Sequence, residues 1–245
     1  MPTLLDPPVA GAARPRPDRA MLARLVLVPA LIAAAGMACA GSGIDRWATD
    51  LFFDPAAAAF PARSVPALET IGHRLAKSAV WALWLGLLAA AVAARRFDRL
   101  RPHRAVLWLT VAALATGPAL VTLLKNVTAP RCPWDLQQYG GFAQASTALF
   151  AHGVPPGHCF PGGHAAGGFS LIALHFAGLA LGNRRLARAG LWAALTAGTL
   201  FSLVRVAQGA HFVSHNLWAA AIDWAAAAWI FAPLQASWTH AGGRP

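Results

Sequence analysis

Six apolar runs constrain this chain more than any other feature, because each is close to the ~20 residues a helix needs to cross a bilayer. They cover roughly 22–40, 76–94, 105–124, 165–182, 189–207 and 216–235 of the 245 residues. Gly and Pro interrupt some of them, which membrane helices tolerate when neighbouring groups re-satisfy the freed backbone. Composition points to the same solvent: 57% of the residues are hydrophobic and 12% charged, whereas a soluble domain carries roughly 25% charge. Ten Trp against one Tyr adds weak support, since Trp favours membrane interfaces. The expected fold is all-α, a six-transmembrane-helix bundle.

A net charge of +11 raises nucleic acid as a partner, and its distribution argues against one. The basic residues form no stripe interleaved with aromatics, as a nucleic-acid surface would. They cluster between apolar runs, at Arg95, Arg96, Arg99, Arg101 and Arg104, and at Arg184, Arg185 and Arg188. The positive-inside rule assigns these two connections, and the basic N-terminus with Arg14, Arg16 and Arg19, to the cytoplasm. Six crossings satisfy all three, and the C-terminus also falls inside. The connections at about 41–75, 125–164 and 208–215 then face outward. The expected organisation is a basic tail at 1–21, a membrane domain at 22–238 with a motif core at about 105–235, and a short tail at 239–245. The expected location is the plasma or cell inner membrane, with an active site on the extracellular or periplasmic side.

The first run has a second reading: with small residues at Ala38, Cys39 and Ala40 it also resembles a secretory signal peptide. Cleavage there leaves five helices and the same outward loops. In the first outward loop Val65, Leu68, Ile71 and Leu75 recur at helical spacing, as in a short surface helix or a packed structural one. Cys39 reads as an inert core thiol. Cys132 and Cys159 fall in one outward loop, where an oxidising compartment favours a disulfide. Such a link closes about 28 residues and contributes roughly 3–4 kcal/mol on a chain-entropy account. Two free thiols are the alternative.

The outward side gathers a chemical kit. Lys125 ends the third run, Arg131, Asp135 and His158 lie in the loop after it, and Pro161-Gly162-Gly163-His164 opens the fourth run. Arg205 lies near the end of the fifth, and His211 and His215 stand before the sixth. Singly, Lys125 and Arg205 read as snorkelling side chains and His164 as an interface histidine. Together the cations suit a phosphate dianion. The Gly162 and Gly163 amides at a helix start suit the same oxygens, and the imidazoles supply a nucleophile and a proton donor.

In order and spacing these blocks resemble the type 2 phosphatidic acid phosphatases, which share a core with vanadium haloperoxidases. That family carries Lys followed after six residues by Arg-Pro, then Pro-Ser-Gly-His, then Ser-Arg, five residues, His, three residues and Asp. The first block here runs from Lys125 to Arg131, one residue shorter, with Cys132 between Arg131 and Pro133. A subgroup with Cys-Pro-Trp-Asp-Leu, as at 132–136, also belongs to that family. In the second block Gly162 stands in the Ser position. In the third, Val204 replaces Ser and His215 replaces Asp, while the spacing from Arg205 to His211 is kept.

The resemblance implies a lipid phosphatase that needs no metal or cofactor. It makes His211 the nucleophile, His164 the acid and then the base, and Lys125, Arg131, Arg205, Gly162 and Gly163 the phosphate-binding groups. His215 takes the place of the Asp that orients the nucleophile, as an acceptor without negative charge. Asp135 is an alternative orienting group. Asp223 is two helical turns beyond His215, roughly 12 Å away. The partners implied are the bilayer and a lipid phosphate such as phosphatidic acid, phosphatidylglycerophosphate, undecaprenyl diphosphate or a lipid A phosphate. Two other readings stand beside this one. His211 and His215 have the spacing of two metal ligands on one helix, with Asp135, His158 or His164 to complete the site. The altered motif positions also suit a non-catalytic lipid-phosphate binding or transport protein.

Overall fold

The computed structural model describes residues 19–70, 76–146 and 148–241, the side chains of 69, 76 and 235–241 excepted. Arg14, Arg16, Ile71, Leu75 and the last four residues lie outside the described residues. Among the described residues seven longer helices carry the fold: α1 (Arg19–Gly41), α2 (Ile44–Asp50), α3 (Ala76–Ala93), α4 (Arg104–Lys125), α5 (Gly163–Ala180), α6 (Arg184–Ala207) and α7 (Val213–Ala241). Among the described residues there is no strand, only isolated bridges such as Thr128 with Phe150. α1 begins inside the segment read as a tail, and α7 continues to Ala241, past the expected boundary at 238. Of the surface helix expected from Val65 to Leu75, the described residues show a helical turn at Pro66–Glu69.

Five of these helices are long and apolar enough to cross a bilayer: α1, α4, α5, α6 and α7. The apolar part of α3, Lys77–Ala93, is shorter. Large apolar side chains face outward along the bundle: Leu123 is 63% exposed, Trp192 66% and Trp229 61%. A surface of this kind suits lipid and not water, and the chain is a multi-pass membrane protein.

α7 is the hub, packing against α1, α4 and α5. Its contact with α1 depends on one proline. α1 opens into a π-helical stretch at Ala23–Leu27, where the Val28 amide donates to the Ala23 carbonyl. Pro29 has no amide to give, so the carbonyl of Arg24 is left over. The indole of Trp224 in α7 donates to it at 2.9 Å. In lipid a backbone acceptor needs such a partner.

α5 and α6 meet through glycine. A Cβ at Gly178 would lie 2.3 Å from the Ala187 nitrogen, and one at Gly190 would lie 2.4 Å from the His175 nitrogen. Small residues let two backbones approach this closely, which drives helix association in membranes. Below this seam Phe176 and Phe231 stack with ring centroids 6.1 Å apart, both fully buried. Asp223 is also buried, lying over Gly117 of α4, where a Cβ would overlap its carboxylate.

From α4 to α7 the helices alternate in direction, since Lys125 ending α4 lies by Gly163 starting α5, and Lys125 and Arg205 both lie near His211 just before α7. The arginine-rich connections therefore gather at one end of the bundle. The C-terminus of α4 and the N-termini of α5 and α7 gather at the other.

Candidate active site

A cap of loops closes that second end. The rings of Phe53, Phe60 and Tyr139 cluster with centroids 5.1–5.5 Å apart. Tyr139 donates its hydroxyl to Asp50 of α2 at 2.7 Å. Burial, then that hydrogen bond and the Asp50 charge, push the Tyr139 hydroxyl well above the usual phenol range. The cap fixes the turn before His211. Gly209 adopts φ 67°, and a Cβ there would sit 2.4 Å from the Phe60 ring. Its carbonyl accepts from the Trp134 amide at 2.9 Å, tying the first block to the third.

The 126–162 loop is tied back on itself. The Gly157 amide donates to Thr128 O at 2.8 Å, and the Thr128 hydroxyl donates to Phe160 O. Cys132 and Cys159 form a disulfide, with their Cα atoms 5.2 Å apart, as one reading of the sequence expected.

His211 is 3% exposed. Its ring centroid is 6.5 Å from that of His164 and 5.9 Å from that of His215. Burial above all, then the nearby His215, Lys125, Arg205 and His164, hold its pKa well below the usual histidine value. The imidazole is therefore neutral at neutral pH, with a lone pair to offer. Gly163 brings the second block to Lys125: a Cβ there would lie 3.4 Å from Nζ. Arg205 reaches Gln208 Oε1 at 2.9 Å and lies over the Trp134 ring at 5.6 Å. Lys125, His164, Arg205 and His211 are thus brought together at one end of an apolar bundle.

Other expected residues are placed differently. Arg131 has its guanidinium 5.9 Å over Phe142. The Gly162 amide donates to His215 O at 2.9 Å, so it is committed to the fold and not held for an anion. Gly163, at the first position of α5, has no such backbone partner among the described residues. His215 does not accept a hydrogen bond from His211. Its ring packs edge-on against Phe160 and Phe212, and it bonds the Cys159 backbone. These contacts tie His215 to the loop that carries Cys159 and Phe160. Asp135 forms no side-chain bond to His211 among the described residues, and His158 is exposed at φ 54°. The potential metal-ligand atoms that do cluster, within 4.8 Å, are those of Cys132, Cys159 and His211. Both sulfurs are spent in the disulfide, and this is not the His211–His215 set that the sequence offered.

Two residues escaped the sequence reading. Asp45 of α2 accepts from the Ser214 amide at 2.8 Å and from the Ser214 hydroxyl, capping α7 next to His211. Burial lifts its carboxyl above the usual range, and the Ser214 bonds partly offset this. No local pattern connects positions 169 residues apart. Asn216 is buried, and neither its Oδ1 nor its Nδ2 has a partner. A Cβ at Gly162 would lie 2.3 Å from Asn216 Oδ1, so Asn216 fills the space a Ser side chain would enter. Gly162→Ser is expected to lower the thermal unfolding midpoint, since overpacking costs ~1–3 kcal/mol. Adding Asn216→Ala should recover most of that loss. Simple additivity of the two substitutions in a double-mutant cycle would show that the positions do not compete for space.

No curated protein and no solved structure matches this chain. The PAP2 superfamily model matches residues 105–238, a span that begins in α4 and ends in α7. It takes in Lys125, His164, Arg205 and His211, and it covers more than half of the sequence. The chain belongs to the PAP2 superfamily, whose members are phosphatases.

Proposed function

We propose that this protein hydrolyses a membrane lipid phosphate or diphosphate through a phosphohistidine on His211, without a metal. The observation that carries the reading is the neutral, buried His211 beside Lys125 and Arg205 at one end of a lipid-facing bundle. α3 is the sixth crossing in this account. The arginine-rich connections and both termini lie in the cytoplasm, and the site faces outward, at the depth of a lipid headgroup.

The steps follow from the groups present. His211 attacks phosphorus, the bond from phosphorus to the lipid oxygen breaks, and His164 gives that oxygen a proton. Water then attacks the phosphorus while His164 takes its proton, the phosphorus–nitrogen bond breaks with its electron pair returning to His211, and inorganic phosphate leaves. Lys125, Arg205 and Arg131 balance the charge on the phosphoryl oxygens. Gly163 offers its amide at the start of α5.

The protonation of His211 sets an acid limb. Only the neutral ring attacks, and its pKa is lowered, so the active fraction persists below the ~6.5 at which an exposed histidine titrates. The limb in kcat/KM assigned to His211 should therefore fall below that value. A limb at or above it contradicts a buried nucleophile.

The direct test measures phosphate release from a panel of lipid phosphates by purified protein in detergent, with excess EDTA and with or without vanadate. Release that survives EDTA and is blocked by vanadate is expected. Loss with EDTA supports a metal-dependent hydrolase. Phosphate-dependent lipid binding without release supports the binding protein that the altered Gly162 and His215 positions suggest.

A further inference from the structure

His211 has a partner on the side of its ring where an orienting group belongs, and that partner is a disulfide sulfur. Cys159 Sγ is 3.4 Å from His211 Nδ1 and 3.2 Å from the carbonyl oxygen of the preceding residue, Ala210. Cys159 is fully buried, and Cys132 nearly so. We propose that the Cys132–Cys159 disulfide is the positioning group for the nucleophile, accepting a hydrogen bond from Nδ1–H of His211 and leaving Nε2 bare for attack. The proposal rests on the phosphohistidine reading above.

The chemistry determines the direction of this contact. A disulfide sulfur carries no proton, so it cannot donate. The hydrogen bond forms only when Nδ1 holds the proton, and the second nitrogen then keeps its lone pair, because the contact made by one ring nitrogen sets the state of the other. A carboxylate in this place would do the same and would also stabilise the imidazolium. A neutral sulfur fixes the tautomer without that charge. His215, turned toward Phe160 and the Cys159 backbone, does not compete for Nδ1.

The covalent framework suits the role. Cys132 follows Arg131, Cys159 lies just ahead of Pro161 and Gly162, and Cys159 Sγ touches the third block at Ala210 and His211. One bond therefore links the first two blocks and meets the third at Nδ1 of the nucleophile. A link serving stability alone has no need to touch the nucleophile.

The test begins with wild-type protein, assayed for vanadate-sensitive phosphate release in EDTA. No release there defeats the phosphatase reading itself. With release established, the Cys132→Ala/Cys159→Ala variant is assayed below its unfolding midpoint, with the thermal shift given by vanadate as proof that the site is folded. The expected result is a fall in kcat on the order of 10–100-fold, by analogy with loss of the hydrogen-bond partner that orients a metal-bound histidine. KM should change little, and the pH profile should be altered. Unchanged kcat with an unchanged profile overturns the proposal while leaving the phosphatase reading intact. A second measurement needs no cysteine variant: 15N spectra of histidine-labelled wild-type protein, with His211 assigned by the signals missing in His211→Asn. A proton on Nδ1 and a bare Nε2 are expected. The opposite tautomer overturns the proposal even if the cysteine variant fails to fold.

Discussion

Replacing His211 with Ala should reduce phosphate release by roughly 10⁴-fold or more, the scale on which enzymes lose activity with their nucleophile. No neighbour is placed to take over. His215 is packed against Phe160 and Phe212. His164 is on the far side of the gap, 6.5 Å from His211 between ring centroids, and has its own proton to deliver. The fold should survive, because the turn that carries His211 is held by other groups: Trp134 on the Gly209 carbonyl and Asp45 on the Ser214 amide. A thermal shift with vanadate alongside the activity assay checks both halves. Turnover close to wild type in a folded variant defeats the nucleophile assignment.

The largest effect on stability should come from Gly190→Val. A Cβ at 190 lies 2.4 Å from the His175 nitrogen and 2.6 Å from the Leu174 carbonyl carbon. The obstacle is backbone of α5, which cannot rotate aside as a side chain would. Overpacking a close-packed interior costs ~1–3 kcal/mol, and a β-branched residue facing backbone belongs at the upper end. Relief requires α5 and α6 to separate, which moves Gly163 and His164 at one end of the pair relative to Arg205 on the other. The unfolding midpoint in detergent should drop by several degrees, and phosphate release should fall with it. A variant as stable as wild type would mean that the two helices do not meet at these glycines. Gly167→Ala serves as a control, because a Cβ there meets nothing within 4 Å.

The sequence showed some of this plainly. Lipid as solvent forces long apolar runs, so the bundle helices were visible within a few residues of their ends. Lys125, Arg205, His164 and His211 stood out because a charged or titratable group beside an apolar run needs a reason. What stayed hidden depends on contacts between distant positions. Nothing near Asp45 announces that it caps α7, and nothing in the Gly162-Gly163 pair says that one amide is already taken by His215 O. The orienting role expected of His215 followed from motif position alone. The fold sets Cys159 sulfur against Nδ1 of His211, with the His215 ring edge-on at 5.9 Å. The π-helical stretch of α1 is similar: Pro29 is visible in sequence, but the indole that satisfies the freed Arg24 carbonyl comes from Trp224, 200 residues away.

The most direct measurement is a rapid-quench experiment with a 32P-labelled lipid phosphate and purified protein in EDTA, with the denatured protein examined for bound label. The account predicts label that is stable in alkali, released by acid, present in wild-type protein and absent from His211→Ala. Rapid phosphate release with no labelled protein at any quench time, or label that persists in His211→Ala, would contradict it.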